Sequence, residues 1–182
     1  MNVIFLDFDG VLCTYSYQSD EEIESKIKIL ADICHEFNCK IVIEASAKIA
    51  INEDNMEIES DWVNFIFDMF KKYKIECIGR TPNVCKRYND YTYTSMWKED
   101  EIRLYLFRHP EIEHYCVIDV DDIKLFNNSD LNKVKEHLVR TLYYSKNGDE
   151  EGLCASHKEK IKEILKKENK IRNLVLKRNK CK

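Results

Sequence analysis

The chain has 182 residues, 44% hydrophobic and 34% charged, with a net charge of −4, four glycines and two prolines. This balance describes one globular domain spanning 1–182 with a sizeable core, and it excludes extended disorder or a flexible interdomain linker. No apolar run approaches the ~20 residues of a membrane span. The first such run is short and interrupted by Asp7 and Asp9, so neither a signal peptide nor a membrane partner is expected and the reading is cytoplasmic.

In chain order, Val3 to Phe8 forms an apolar run that reads as a buried strand. Ser19 and Glu22 make a capping box for a helix whose stripe is Ile23, Ile27, Leu30, Cys34 and Phe37. A second strand is expected at about Lys40 to Ala45, and a second helix is marked by Trp62, Phe65, Ile66, Met69 and Phe70. The stretch "KIECIG" reads as a short third strand. An irregular, tyrosine-rich segment follows from Arg80 to about Met96, then a helix from Lys98 to Arg108 and a fourth strand, "HYCVID". A fifth strand falls in "HLVRTL", and Ser156 with Glu159 suggests a capping box for a C-terminal helix. Strands alternating with helices predict an α/β fold, a parallel sheet of about five strands with helices on both faces.

Charge is uneven. From Lys158 onward eleven Lys or Arg face three Glu, a local +8 that leaves −12 elsewhere. The basic region, about 157–182, reads as a solvated helix face and basic tail, or as a surface for a polyanion. None of the eight cysteines forms a CxxC pair, and Cys34, Cys77 and Cys116 stand among apolar neighbours, so buried structural thiols are expected. The five histidines show no catalytic pattern.

Open α/β sheets carry their sites beyond the carboxyl ends of the strands. Asp7 and Asp9 end the first strand, and Asp119, Asp121 and Asp122 end the fourth. If the two strands are neighbours, several carboxylates meet at one edge. Such a group repels itself without a cation, and an all-oxygen set favours Mg²⁺.

The sequence "DFDGVL" after an apolar strand resembles the first motif of the haloacid dehalogenase-like (HAD) superfamily, largely phosphatases and phosphotransferases. "KIVIEASAK", "WKEDEIRLYLFRHPEIEHYCVIDVDD" and "HLVRTL…EEGL" sit where its later motifs and closing elements fall. In spacing the chain looks most like the small HAD domain of Swiss-army-knife RNA-repair proteins. The resemblance implies a Rossmannoid three-layer sandwich with little or no cap. It also implies a Mg²⁺-dependent phosphohydrolase with Asp7 as nucleophile and Asp9 as acid and base. Gly10 would let the backbone turn closely around the phosphoryl group, and Lys98 would stabilise it. Mg²⁺ would be held by Asp7, the carbonyl of Asp9, and Asp119.

Two positions depart from that pattern. The hydroxyl residue expected at the end of the second strand is replaced by Glu44 or Ala45, with Ser46 just beyond as a substitute phosphate ligand. Val120 separates Asp119 from Asp121, where the family often has adjacent acids. These departures open the alternative of a degenerate HAD domain that binds phosphate or a partner without turnover. The short insertions predict an open site, suited to a phosphorylated end of RNA or DNA or to a phosphoprotein, with nucleic-acid ends the preferred class. Tyr88, Tyr91, Tyr93 and Trp97, near Arg87 and Lys98, suit base stacking or an ordinary β-hairpin packed on the core. The sequence leaves the oligomeric state open.

Overall fold

The structure, a computed structural model, describes residues 1–14, 19–83, 98–120, 134–144, 151–169 and 172, and the backbone alone of 86–88 and 92–94. Five strands form one parallel sheet: β1 (Asn2–Leu6), β2 (Cys39–Ile43), β3 (Cys77–Arg80), β6 (His114–Asp119) and β7 (Leu138–Arg140), in the order β3-β2-β1-β6-β7. Strand β1 is central and pairs in parallel with β2 and β6, Leu6 lying level with both Ile43 and Ile118. Strands β4 (Lys86–Tyr88) and β5 (Thr92–Thr94) form a separate antiparallel pair within the segment expected to be irregular, in keeping with the hairpin alternative.

The two faces of the sheet are set by residue parity along the strands. Ile4, Leu6, Ile41, Ile43, Cys116 and Ile118 face one core, which α1 (Asp20–Phe37), α2 (Asp61–Lys72) and α4 (His157–Leu165) cover. Val3, Phe5, Val42, Tyr115 and Val117 face the other, covered by α3 (Lys98–Arg108) through Ile102, Tyr105 and Leu106. There Phe5 lies edge-on to Tyr105 and Tyr115, at centroid distances of 5.7 and 5.9 Å. Helices on both faces make this the three-layer α/β Rossmannoid sandwich. Between β1 and β2 the described residues hold α1 and no further helix or strand.

Local chemistry explains most boundaries. Ser19 and Glu22 form the reciprocal capping box of α1, which ends on Asn38 in the left-handed conformation. Ser60 caps α2 by accepting from the Val63 N–H. The expected box at Ser156 is corrected: Ser156 has helical backbone angles and makes no side-chain cap bond. The turn before α4 is closed instead by the Cys154 N–H donating to His157 Nδ1 at 3.1 Å. Helix α4 folds back on the sheet, burying Ile161, Ile164 and Leu165.

Cys34, Cys39, Cys116 and Cys154 are buried free thiols, and burial pushes the thiols of Cys39 and Cys77 up to about 12 and about 11. Such thiols stay protonated and unreactive. His137 is likewise structural, stacked on Tyr115 at 4.0 Å with Nδ1 on the Tyr115 carbonyl. No helix among the described residues is long and apolar enough to cross a membrane.

Candidate active site

The same parity that builds the core aims the acidic residues. Asp7 continues the row of Val3 and Phe5, Asp119 that of Tyr115 and Val117, and Glu44 that of Val42. The ladder continues past the strand ends, since the Asp7 N–H donates to the Ile118 carbonyl at 3.0 Å and the Glu44 N–H to the Leu6 carbonyl at 2.8 Å. Three carboxylates from three adjacent strands therefore stand side by side on the face that α3 covers. The first residue of α3 is Lys98.

The Lys98 ammonium bridges the pair, 2.6 Å from Asp7 Oδ2 and 2.7 Å from Asp119 Oδ2, with Glu44 Oε2 at 3.7 Å. The other oxygen of Asp7 accepts the Phe8 N–H at 2.7 Å. Burial, then the Asp119 charge, pushes the Asp7 carboxyl up to about 7, with Lys98 opposing. The carboxylates in turn outweigh burial at Lys98 and hold its ammonium well above the usual lysine range. Asp7 and Asp119 are 4% and 0% exposed, so these charges interact with little water between them.

Asp9 lies on the loop beyond and is exposed, with the Ser46 hydroxyl 3.5 Å from its Oδ2. Between the two aspartates, Phe8 turns its ring into the core, edge-on to Trp62. Gly10 has φ +71°, and a Cβ there would meet Val120 Cβ at 2.5 Å and Tyr143 Cδ2 at 2.7 Å. Only glycine combines that backbone conformation with that close approach. Val120, a departure at sequence level, thus packs on the glycine of the Asp9 loop. The loop is fixed from the far edge: Thr141 Oγ1 donates to the Gly10 carbonyl at 2.7 Å and the Leu153 N–H to that of Val11 at 2.8 Å. Asp121, Asp122 and the side chains of Arg87, Tyr88, Tyr91, Tyr93 and Trp97 lie outside the described residues.

Sequence reasoning missed what lies behind Lys98. Beyond β2 a short 3₁₀ turn, Ser46–Ala50, carries Lys48 inward, where it is 5% exposed. Its ammonium reaches Glu44 Oε1 at 3.5 Å, donates to Thr81 Oγ1 at 2.9 Å and pairs with Glu101. Burial drives the Glu44 carboxyl upward, and Lys48 and then Lys98 oppose it. Glu44, taken alone, would repel a phosphate; here it is flanked by an ammonium on each side. One local signal existed, Lys98 and Glu101 three apart on one face of α3; Glu44 follows β2 and meets Lys48 only because the chain turns at Ser46–Ala50.

The family model described as "HAD domain in Swiss Army Knife RNA repair proteins" matches residues 3–148. The chain belongs to this family. No curated protein and no solved structure gave a significant match. The HAD assignment covers the sheet from Val3 of β1 through β7, with Asp7, Asp9, Glu44, Ser46, Lys48, Lys98 and Asp119, and it points to hydrolase-type chemistry.

Among the described residues no three His, Cys, Asp or Glu side chains gather in an arrangement able to hold a metal. The donors available to a cation there would be the Asp7 and Asp119 carboxylates and the main-chain carbonyl of Asp9. All are hard oxygen donors, and this chemistry fits Mg²⁺.

Proposed function

We propose that this HAD domain is a Mg²⁺-dependent phosphohydrolase that works through an aspartyl-phosphate on Asp7. The observation that carries the reading is the convergence of Asp7, Asp119 and Lys98 at the carboxyl edge of β1 and β6, with Asp9 on the loop above. A carboxylate oxygen of Asp7 attacks phosphorus in line, and the bond from phosphorus to the leaving oxygen breaks. Asp9 gives its proton to that oxygen, then takes a proton from the water that hydrolyses the acyl-phosphate, releasing inorganic phosphate and free Asp7. Lys98 stabilises the charge on the transferring group. Gly10 keeps the loop backbone close to that group, and Ser46 offers a hydroxyl beside Asp9. Asp7, Asp119 and the Asp9 carbonyl would hold Mg²⁺, which when bound neutralises phosphate against carboxylate.

The substrate we favour is a phosphorylated nucleic-acid end. Two things support it: the family description names RNA-repair proteins, and Asp9 and Ser46 are exposed rather than roofed over. Glu44 and Ala45, which follow β2 where the family carries a hydroxyl, favour a second reading, a domain that binds phosphate or a partner without turnover. One experiment tests both. Phosphate release with Mg²⁺ is measured on p-nitrophenyl phosphate and on 5′- and 3′-phosphorylated RNA and DNA, for the intact chain and Asp7→Asn. Turnover lost in the variant supports the first reading. An intact chain that binds Mg²⁺ and phosphorylated ends yet releases no phosphate supports the second.

A further inference from the structure

Four charges, three of them buried and Lys98 half-buried, alternate in sign around the inner wall of the site. Lys98 faces Glu44 at 3.7 Å, Glu44 faces Lys48 at 3.5 Å, and Lys48 is paired with Glu101. Lys98 and Glu101 are one turn apart on α3, so the series closes on the helix that begins it. Lys48 is further pinned by Thr81 Oγ1 at 2.9 Å, itself wholly buried at the exit of β3. The series thus ties the start of α3 to the exits of β2 and β3.

Glu44 is the asymmetric member. Its Oε1 meets Lys48, whereas Oε2 is fully buried and accepts no hydrogen bond from the described residues. A buried carboxylate oxygen left in that state is costly, and the Lys98 ammonium stands 3.7 Å from it. Asp7 and Asp119 hold the same ammonium from the substrate side at 2.6 and 2.7 Å. Those two carboxylates must also serve phosphate and metal in the proposed reaction, so something else has to keep Lys98 in place while they do. A Ser or Thr at position 44 would be too short and uncharged for that.

We infer that Glu44 is a positioning residue that holds the Lys98 ammonium in the site from behind, with Lys48 as the counter-charge that makes a buried carboxylate tolerable there. The acid at the family's hydroxyl position then has a use: it anchors a cation instead of touching phosphate. The inference rests on the phosphohydrolase reading for its kinetic consequence alone.

The test uses the full chain and its Glu44→Gln and Glu44→Asp variants. The first removes the charge at constant shape, and the second withdraws it by one methylene. The side-chain ammonium of Lys98 is observed by ¹H–¹⁵N NMR and assigned by its loss in Lys98→Arg. In parallel, kcat and KM are measured with p-nitrophenyl phosphate and Mg²⁺. An anchored ammonium is expected as a slowly exchanging signal in the intact chain. In Glu44→Gln that signal shifts or is lost to exchange, while kcat falls by about tenfold or more and KM stays within about threefold. Glu44→Asp gives smaller changes of the same kind. An unchanged Lys98 signal in folded Glu44→Gln overturns the inference whatever the kinetics, as does an intact chain whose Lys98 signal exchanges too fast to observe. If Glu44→Gln does not fold, Glu44→Asp decides by the same signal. An intact chain that releases no phosphate sinks the phosphohydrolase reading and leaves the NMR arm to judge Glu44.

Discussion

The ammonium of Lys98 lies 2.6 Å from the carboxylate of Asp7, although 91 residues separate them in the chain. Lys98 is also the cation that Asp119 and Glu44 share. Substituting it by methionine keeps the length and removes the charge, which leaves three buried carboxylates facing one another. For Lys98→Met, kcat on p-nitrophenyl phosphate is expected to fall by about 10²–10³, the scale of losing one preorganised charge at a reacting phosphate. A loss below about threefold would return Lys98 to the status of a structural ion-pair partner.

Asp7 carries a pH signature that does not depend on turnover. Its carboxyl titrates at about 7 in the folded, metal-free chain, against 3.8 as the ordinary value. Between those values the folded state holds the proton more tightly than the unfolded one, so stability falls as pH rises from about 4 to about 7. Glu44 is shifted in the same direction and adds to the slope. Urea denaturation in the presence of a chelator should therefore show a shallower decline for Asp7→Asn, whose neutral amide never ionises. At pH 8 the variant should be the more stable protein, with phosphate release abolished. Parallel pH profiles for the two proteins would contradict the placement of Asp7 in this cluster.

The fold was legible because its signals are local and repeated. The continuous apolar runs of Val3–Leu6 and "HYCVID", the box at Ser19 and Glu22, and the stripe of α2 each fix an element from within a few residues. The cap at Ser156 was misread because the motif names residue types, whereas a cap needs an extended backbone that Ser156 lacks. The outer half of the site was equally open to reading, on the one condition that the strands ending at Asp7 and Asp119 are neighbours, which the structure meets. Its inner half was hidden. Lys48 is drawn inward only because Glu44, Thr81 and Glu101 arrive from three other elements, and no single window of sequence contains that coincidence. Glu44 looked like a defect for the same reason: its charge is tolerable only beside partners 4 and 54 residues away.

Asp9 should reveal itself through the leaving group. Proton donation matters most when the departing oxygen is strongly basic, as in an alkyl or nucleotide ester, and least for p-nitrophenolate. Asp9→Asn is expected to lower kcat/KM on a phosphorylated oligonucleotide by at least about tenfold more than on p-nitrophenyl phosphate. Equal losses on both substrates would assign Asp9 to binding alone.

Gly10 allows no Cβ. At φ +71°, with Val120 Cβ and Tyr143 Cδ2 at 2.5 and 2.7 Å from where it would stand, Gly10→Ala must move the Asp9 loop or the exits of β6 and β7. A cost of about 1–3 kcal/mol is expected from backbone strain and overpacking together. Because the Gly10 carbonyl is held by Thr141 Oγ1, the displacement carries into the position of Asp9. Thermal melts should show the loss of stability, and kcat should fall even at temperatures where the variant is fully folded.

Lys48 and Glu44 differ in what their removal strands. Lys48→Met leaves Glu44 and Glu101 buried without their shared cation, and burial then acts on Glu44 with only Lys98 opposing. Breaking a buried pair from one side costs about 3–5 kcal/mol. Glu44→Gln leaves Lys48 its contacts with Glu101 and Thr81, so it should cost clearly less. Urea denaturation at pH 7.5 therefore ranks Lys48→Met well below Glu44→Gln in stability. The reverse order would mean that Glu44, and not Lys48, is the member on which the buried series depends.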